Sequence, residues 1–572
     1  MKINKIVIGG FTLLLSISAC DNLNYKEYTS QNEDYMKVTY ERVTGLLNNV
    51  YTKLDTDFGN NYSGGMLASA CDEADYAYAN NSVCDFTNGN WSSTNALSGT
   101  WTNSYEAIQI CNEYLANYQG LTFDELKLDP DYNKNMFAYK NSFNEARLLR
   151  AYFYFSLVRQ YGDVPYFKDF VKVDAVNTLT RTPMQDILTD LMKECDEMAA
   201  VLPEDYSKLG VTGLNEPGRV NKYFALALKA RIALYAASPL FNKTNDKQAW
   251  LVAAQANKAL LDACTAAGKG LCKSYAALWA ETNRTDPNTN LEIIYLRRPN
   301  ANSAKSDIEG WNYPIGVTGG KSGNCPTQDL VDAYEMKASG KLWNEDGSGY
   351  DPANPYDGRD PRFYLTIAKN GDEKWPTTNT LPLETFFGGI NGEPTAGATT
   401  TGYYLKKFLV QSIDLSESSK KKNAIHSWVT FRMAEFYLNY AEAIFRYTGS
   451  ADDASSLGMT AREAVNIIRN REGVKMPALP TGLSAAAFWT KYKNERMVEL
   501  AFEGHRFYDL RRWKEGDELK SITQMKLTKN LDGSLNYERK VVNRVWDEKM
   551  YFFPIPQTEI MKNPNLTQNI GW

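Results

Sequence analysis

Histidine is nearly missing from this chain: two residues in 572, His505 among them. No C-x-x-C pair occurs either, so a structural zinc set of the usual Cys and His ligands is out of reach. A strong charge of one sign is also absent. The 63 Lys and Arg against 68 Asp and Glu leave a net −5. No overall basic field therefore draws the chain to nucleic acid. Long apolar runs are scarce. Beyond the N-terminal stretch none reaches about 18 residues, so no helical membrane crossing is expected of the mature chain. No motif calls for a cofactor.

What the chain does contain is apolar and aromatic. Hydrophobic residues make up 43%, ample for a sizeable core, and 12 Trp, 36 Tyr and 24 Phe leave rings to spare for exposed flat faces. The first twenty residues read as an address. Lys2 and Lys5 precede an apolar run from Ile6 to Ile17, and Ile17-Ser18-Ala19-Cys20 resembles a lipobox. The run is too short to span a bilayer and ends at small residues, so residues 1–19 are expected to be a lipoprotein signal peptide. Cys20 is then the lipidated (palmitate-bearing) residue, and 20–34 a tether. Each buried acyl CH₂ contributes roughly 0.8 kcal/mol, so several chains on Cys20 would anchor the protein firmly. Seven cysteines remain. Cys71–Cys84 or Cys264–Cys272 could close short loops, but an odd number leaves at least one unpaired, and small buried side chains are the plainer reading.

Helical periodicity dominates both ends. Apolar residues recur at i, i+3, i+4 and i+7 over 33–54, 101–118, 137–161, 184–201, 220–240 and 247–263. The pattern returns over 428–447, 459–471, 485–503 and 505–513. Residues 60–100, 299–325 and 343–402 are instead rich in Gly, Pro, Asn and Asp with single aromatics. Loops this long in a compact domain are usually functional. The expected fold is mainly α: helix pairs forming a scaffold, with long irregular loops and minor β. A strict 34-residue tetratricopeptide repeat is not legible.

Six ordered segments then point to a family. They are YDPANPYDGRDPR (350–362), GYYLKK (402–407), FRMAEFYLNYAEA (431–443), IIRNREG (467–473), NERMVELAFEGHRFYDLRRW (494–513) and YFFPIPQTEIMKNPNLTQNIGW (551–572). In this order they resemble the signatures of SusD/RagB-family nutrient-binding lipoproteins. The resemblance implies a single SusD-like domain over 35–572, with tetratricopeptide-like helix pairs, an N-terminal part to about 270 and a C-terminal part from about 271. It implies a cell-surface, outer-membrane lipoprotein that holds glycan over a SusC-like TonB-dependent transporter. The RagB branch of the family makes peptide cargo the alternative.

AFEGHRFYDLRRW (501–513) looks at first like an acid–base centre. Glu495, Glu499 and Glu503 recur every four residues on one helix face, Arg496 and the arginines of 506–512 lie within reach, and Gly504 breaks the helix. Paired charges around a helix junction suit a fixed corner, with His505 a brace. Asp72, Glu73 and Asp75, or Asp357 and Asp360, could in principle serve a glycoside hydrolase. Neighbouring Arg359 and Arg362 suggest ion pairs instead, and no catalytic residue is assigned.

Sugar recognition needs a flat ring beneath the pyranose and polar groups at its rim. Two loop clusters have that composition: Asp75, Tyr76, Asn90 and Trp91 leading to Trp101, and Arg297, Arg298, Asn300, Trp311, Asn312 and Tyr313. In an extended segment Trp311 and Tyr313 would point the same way. The resemblance adds that glycan-binding members hold their ligand between N-terminal loops and the loop after the segment matching EIIYLRR (292–298).

Overall fold

A computed structural model describes residues 33–206, 218–299, 307–419 and 421–572. The signal segment 1–19, Cys20, most of the tether and Asn300 lie outside the described residues.

The helix Tyr132–Tyr161 is the axis of the molecule. Twenty of its 30 residues are buried, Glu145 and Arg150 among them, so it is enclosed by other elements along most of its length. Gly162, at φ +71°, ends it. Thr100–Asn117 and Met184–Val201 pack against it, Lys222–Ala237 packs on the latter, and Lys247–Ala266 packs on Lys222–Ala237. Met433–Thr448 returns from the far end of the sequence to cover Lys247–Ala266. Caps set several boundaries: the side chain of Asn221 accepts from Phe224 N at 3.0 Å, and Thr460 and Glu463 form a capping box. The result is the mainly helical body expected, with helices packed on their sequence neighbours.

Two patterned segments resolve differently. Over 33–54 the helix breaks and restarts at Tyr40, with Thr39 as its cap. Over 428–447 the first five residues, Trp428–Arg432, form a strand. All five are buried, and a short run buried on both faces has no period that separates strand from helix. That strand pairs antiparallel with Ile293–Arg297, setting Arg297 opposite Trp428 and Ile293 opposite Arg432. Ala74–Tyr76 pairs with Asn324–Pro326, and Ser521–Lys529 with Leu535–Asn543. The described residues of the long loops carry buried aromatics. Their aromatics, including Phe58, Tyr313, Trp375 and Tyr403, form a second apolar core.

The suspected acid–base centre is a lattice of buried ion pairs. Arg432 Nη1 lies 2.6 Å from Glu499 and 2.9 Å from Glu292, and its Nη2 2.7 Å from Glu503. Arg362 reaches Asp360, Glu495 and Glu499 at 2.6–2.8 Å, and Arg471 joins Glu292 and Glu499. Arg512 pairs with Glu442 at 2.6 Å and Asp509 at 2.8 Å. Burial alone would raise the Glu499 carboxyl, but Arg471, Arg432 and Arg362 outweigh it and hold it well below the usual carboxylate range. The lattice clamps one end of the strand pair, because Glu292, which precedes one strand, and Arg432, which ends its antiparallel partner, meet there. His505 itself makes no side-chain bond among the described residues. The brace is its neighbours, and the imidazole lines a cavity described below.

Candidate ligand-binding site

The strand pair ends at a cavity of about 420 Å³ lined by Phe58, Asn60, Arg297, Arg298, Trp311 and His426, with Trp428 at its side. Four chain segments converge there, one of them the stretch that carries Ala424, His426 and Trp428. The loop after the helix Tyr40–Thr52 brings Phe58 and Asn60, the end of Ile293–Arg297 brings the two arginines, and the short helix Asp307–Asn312 brings Trp311. Trp311 is half-buried, and its five-membered ring lies against Gly64, where an added Cβ would stand 2.9 Å from Cγ. Phe58 meets Trp428 edge-on with centroids 5.0 Å apart, and lies 5.7 Å from the ring of His426. Behind them the buried Glu309 places Oε1 2.9 Å from His426 Nε2 and accepts from Val410 N at 2.9 Å.

The arginines differ from those of the lattice. Arg297 Nη2 donates to Thr52 O at 2.7 Å, while its buried Nε has no partner among the described residues. Desolvation pushes the pKa of Arg297 down; that of Arg298 is lowered by desolvation and then by repulsion from Arg284.

Arg297 and Trp428 separate this cavity from a more polar one of about 350 Å³. Asp55, Asp57, Arg159, Arg231 and His505 line it. Arg159 lies 3.6 Å from Asp55, and Arg231 is held by Glu435 at 2.6 Å. Burial pushes Asp57 up to about 7, and its Oδ1 is unpartnered among the described residues. Burial and then the surrounding arginines, Arg231 foremost, hold the His505 imidazole well below its ordinary pKa, so it is neutral.

Of the sequence-predicted contact residues, Trp311 and Arg298 come together on one cavity. Arg297 lines it too, Asn300 lies outside the described residues, and the others do not join them. Tyr313 and Asn312 turn inward because the segment is helical, not extended, so residues two apart project to nearly opposite sides. Tyr313 is fully buried with Oη donating to Val410 O at 2.8 Å, and Asn312 Nδ2 donates to Ile308 O at 2.8 Å. Trp91 is core, wedged edge-to-face between Phe86 and Phe553, each 4.7 Å away, and beside Trp572. Trp101 packs on Tyr105 and Tyr161 at 5.0 and 5.1 Å, and borders a separate apolar groove. Asp75 is engaged by Arg544 and Thr400, both at 2.9 Å, and Tyr76 is buried. Asn90 is exposed and donates to Asp85 at 3.2 Å. Sequence reasoning missed Phe58, Asn60, His426 and Trp428. Only the pairing of Trp428 with Arg297, 131 positions apart by number, brings the last of these in.

The candidate hydrolase acids line neither cavity. Asp72 is forked by Arg506 at 2.7 Å, Asp360 caps a helix and pairs with Arg362, and buried Glu73 is pushed up to about 8 by desolvation. The seven described cysteines are free thiols, six of them buried, with neither short-loop pair bonded.

Two family models cover most of the chain. The SusD family matches residues 289–572, and a SusD-like family described as starch-binding and associating with the outer membrane matches 21–234. The chain belongs to the SusD/RagB family. Among SusD relatives, SusD-like protein P2 of Formosa agariphila is 22% identical, covering 100% of this chain and 99% of its own. A SusD-like carbohydrate-binding protein from Bacteroides fragilis shares the fold with a TM-score of 0.74 at 23% identity, over 93% of this chain and 100% of its own. A laminarin-binding SusD-like protein superposes with a TM-score of 0.62 at 20% identity, over 93% and 99%.

Proposed function

We propose that this SusD-family protein captures oligosaccharide or polysaccharide at the cell surface and delivers it to a SusC-like TonB-dependent transporter, held at the outer membrane by lipid on Cys20. The observation that carries this reading is Trp311: an indole seated on Gly64 and facing a cavity rimmed by Asn60, Arg297, Arg298 and His426. A ring held flat beside hydrogen-bonding side chains is what the C–H face and hydroxyl belt of a pyranose require. The convergence of an N-terminal loop with the chain after Ile293–Arg297 also matches where glycan-binding family members are expected to hold their ligand. The named relatives that bind carbohydrate and laminarin agree with it. One indole and a few polar groups give weak capture, of micromolar to millimolar Kd, roughly −4 to −8 kcal/mol. Capture of this kind needs no covalent step.

The test is native affinity electrophoresis of residues 21–572 through gels containing a panel of polysaccharides, with Trp311→Ala alongside. Retardation by one polymer that is lost in the variant is the expected result. Migration unaffected by every polymer overturns the reading.

A further inference from the structure

We infer that the glycan taken by this site is anionic, bearing a carboxylate or sulfate group that Arg298 and Arg297 grip beside Trp311. The inference rests on the glycan-capture reading and names the class of ligand.

The argument begins with how the rest of the molecule treats arginine. A guanidinium taken out of water must be met by acid or by several acceptors, or its desolvation is uncompensated. The lattice obeys this: Arg362, Arg432, Arg471 and Arg512 each face at least two carboxylates. Arg297 and Arg298 are half-buried at the cavity, yet neither forms an ion pair among the described residues. Arg297 spends one nitrogen on a backbone carbonyl and leaves its buried Nε without a partner. Arg298 has its stem near Gly218, no described hydrogen bond on its head, and a third guanidinium, Arg284, close enough to repel it. Arg284 likewise has no ion pair among the described residues.

Among the described residues, the nearby acids do not supply the missing charge. Asp307 lines the cavity but is exposed and unpaired with either arginine. Asp55 lies in the neighbouring cavity and is drawn to Arg159. Glu309 is buried behind His426 and accepts from Val410 N. A planar fork with free N–H groups suits the paired oxygens of a carboxylate or sulfate. The position also matters. The forks and the Trp311 ring line one cavity, so a charged substituent on a sugar stacked on Trp311 would have a guanidinium to meet. The whole chain carries −5, so a polyanion has no general attraction to its surface and any binding must be local.

The test runs residues 21–572 through native gels and isothermal titration with polymers in three groups: uronate polysaccharides (alginate, polygalacturonate), sulfated ones free of uronate (carrageenan, dextran sulfate) and neutral ones (laminarin, dextran, pullulan). Arg298→Gln, Arg298→Lys and the remote surface variant Lys243→Gln are run beside the parent. The expected result is binding by one anionic group, weakened tenfold or more by Arg298→Gln and partly restored by Arg298→Lys. Lys243→Gln is expected to leave it unchanged, and binding should fall as NaCl rises. Which group binds distinguishes carboxylate from sulfate. A neutral polymer bound at least as tightly as any anionic one, with Arg298→Gln neutral, overturns the anionic assignment and leaves glycan capture standing. Failure of every polymer overturns both.

Discussion

Gly64 is the seat of Trp311. Its φ of +104° is one that side-chain-bearing residues rarely adopt, and a Cβ there would lie 2.9 Å from Trp311 Cγ and 2.6 Å from Tyr76 Oη. Gly64→Ala should therefore both strain the loop and push the indole. A stability loss of about 2 kcal/mol or more is expected, with a shifted tryptophan emission and weakened retardation in polysaccharide gels. Unchanged emission and unchanged retardation would show that Trp311 does not depend on this seat.

Trp311 and Tyr313 should separate cleanly by substitution, since one meets the cavity and the other fills the core. Trp311→Ala is expected to leave stability within about 1 kcal/mol and to weaken glycan binding about tenfold, ~1.4 kcal/mol. Tyr313→Ala should cost on the order of 3 kcal/mol, as other buried aromatics do, with the folded fraction still binding. Chemical denaturation and titration calorimetry on the two variants decide it.

How much of this was legible beforehand follows from the kind of signal each feature carries. The helices Met184–Val201, Lys247–Ala266 and Ala485–Glu499 are amphipathic or capped, and those signals are local. The strand Trp428–Arg432 is buried on both faces, so its period vanished, and with it the pairing that places Trp428 at the site. Trp91 and Trp311 sit in similar Gly- and Asn-rich surroundings by sequence. What tells them apart is long-range: Phe553 and Trp572 close over the first, while Gly64 lies against the second, which lines a cavity. Trp311 and Tyr313 part for a local reason: a shared side needs an extended chain, and Asp307–Asn312 is helical.

The ion-pair lattice predicts acid sensitivity. Burial would raise the Glu442 carboxyl, but Arg512 overrides it and holds it at about 2. A folded pKa below the unfolded value of about 4.3 means the stabilisation is fully present above pH 5. It is lost as pH falls toward 2. The loss is on the order of 3 kcal/mol from this group, with Glu499 acting in the same direction. Glu442→Gln should lower stability at pH 7, leave Arg512 short of a partner, and flatten the acid limb of a Tm-against-pH curve. An acid limb as steep as the parent's would count against the assignment.

Asp57 acts with the opposite sign. Its folded pKa is raised by burial to about 7, above an unfolded value of about 3.9, so the folded chain holds a proton that the unfolded chain releases. The stability this contributes is complete below about pH 4 and drains away as pH rises to about 7. Over about three pH units at ~1.36 kcal/mol each, the difference approaches ~4 kcal/mol. Oδ2 accepts from Leu67 N at 2.9 Å, while Oδ1 is buried with no described partner, an environment that disfavours the charged form. Asp57→Asn is neutral at every pH and should match the parent near pH 4 while exceeding its stability at pH 8. Denaturant unfolding of both proteins at the two pH values measures the gap, and a gap that does not widen with pH would mean the carboxyl is ionised in the fold.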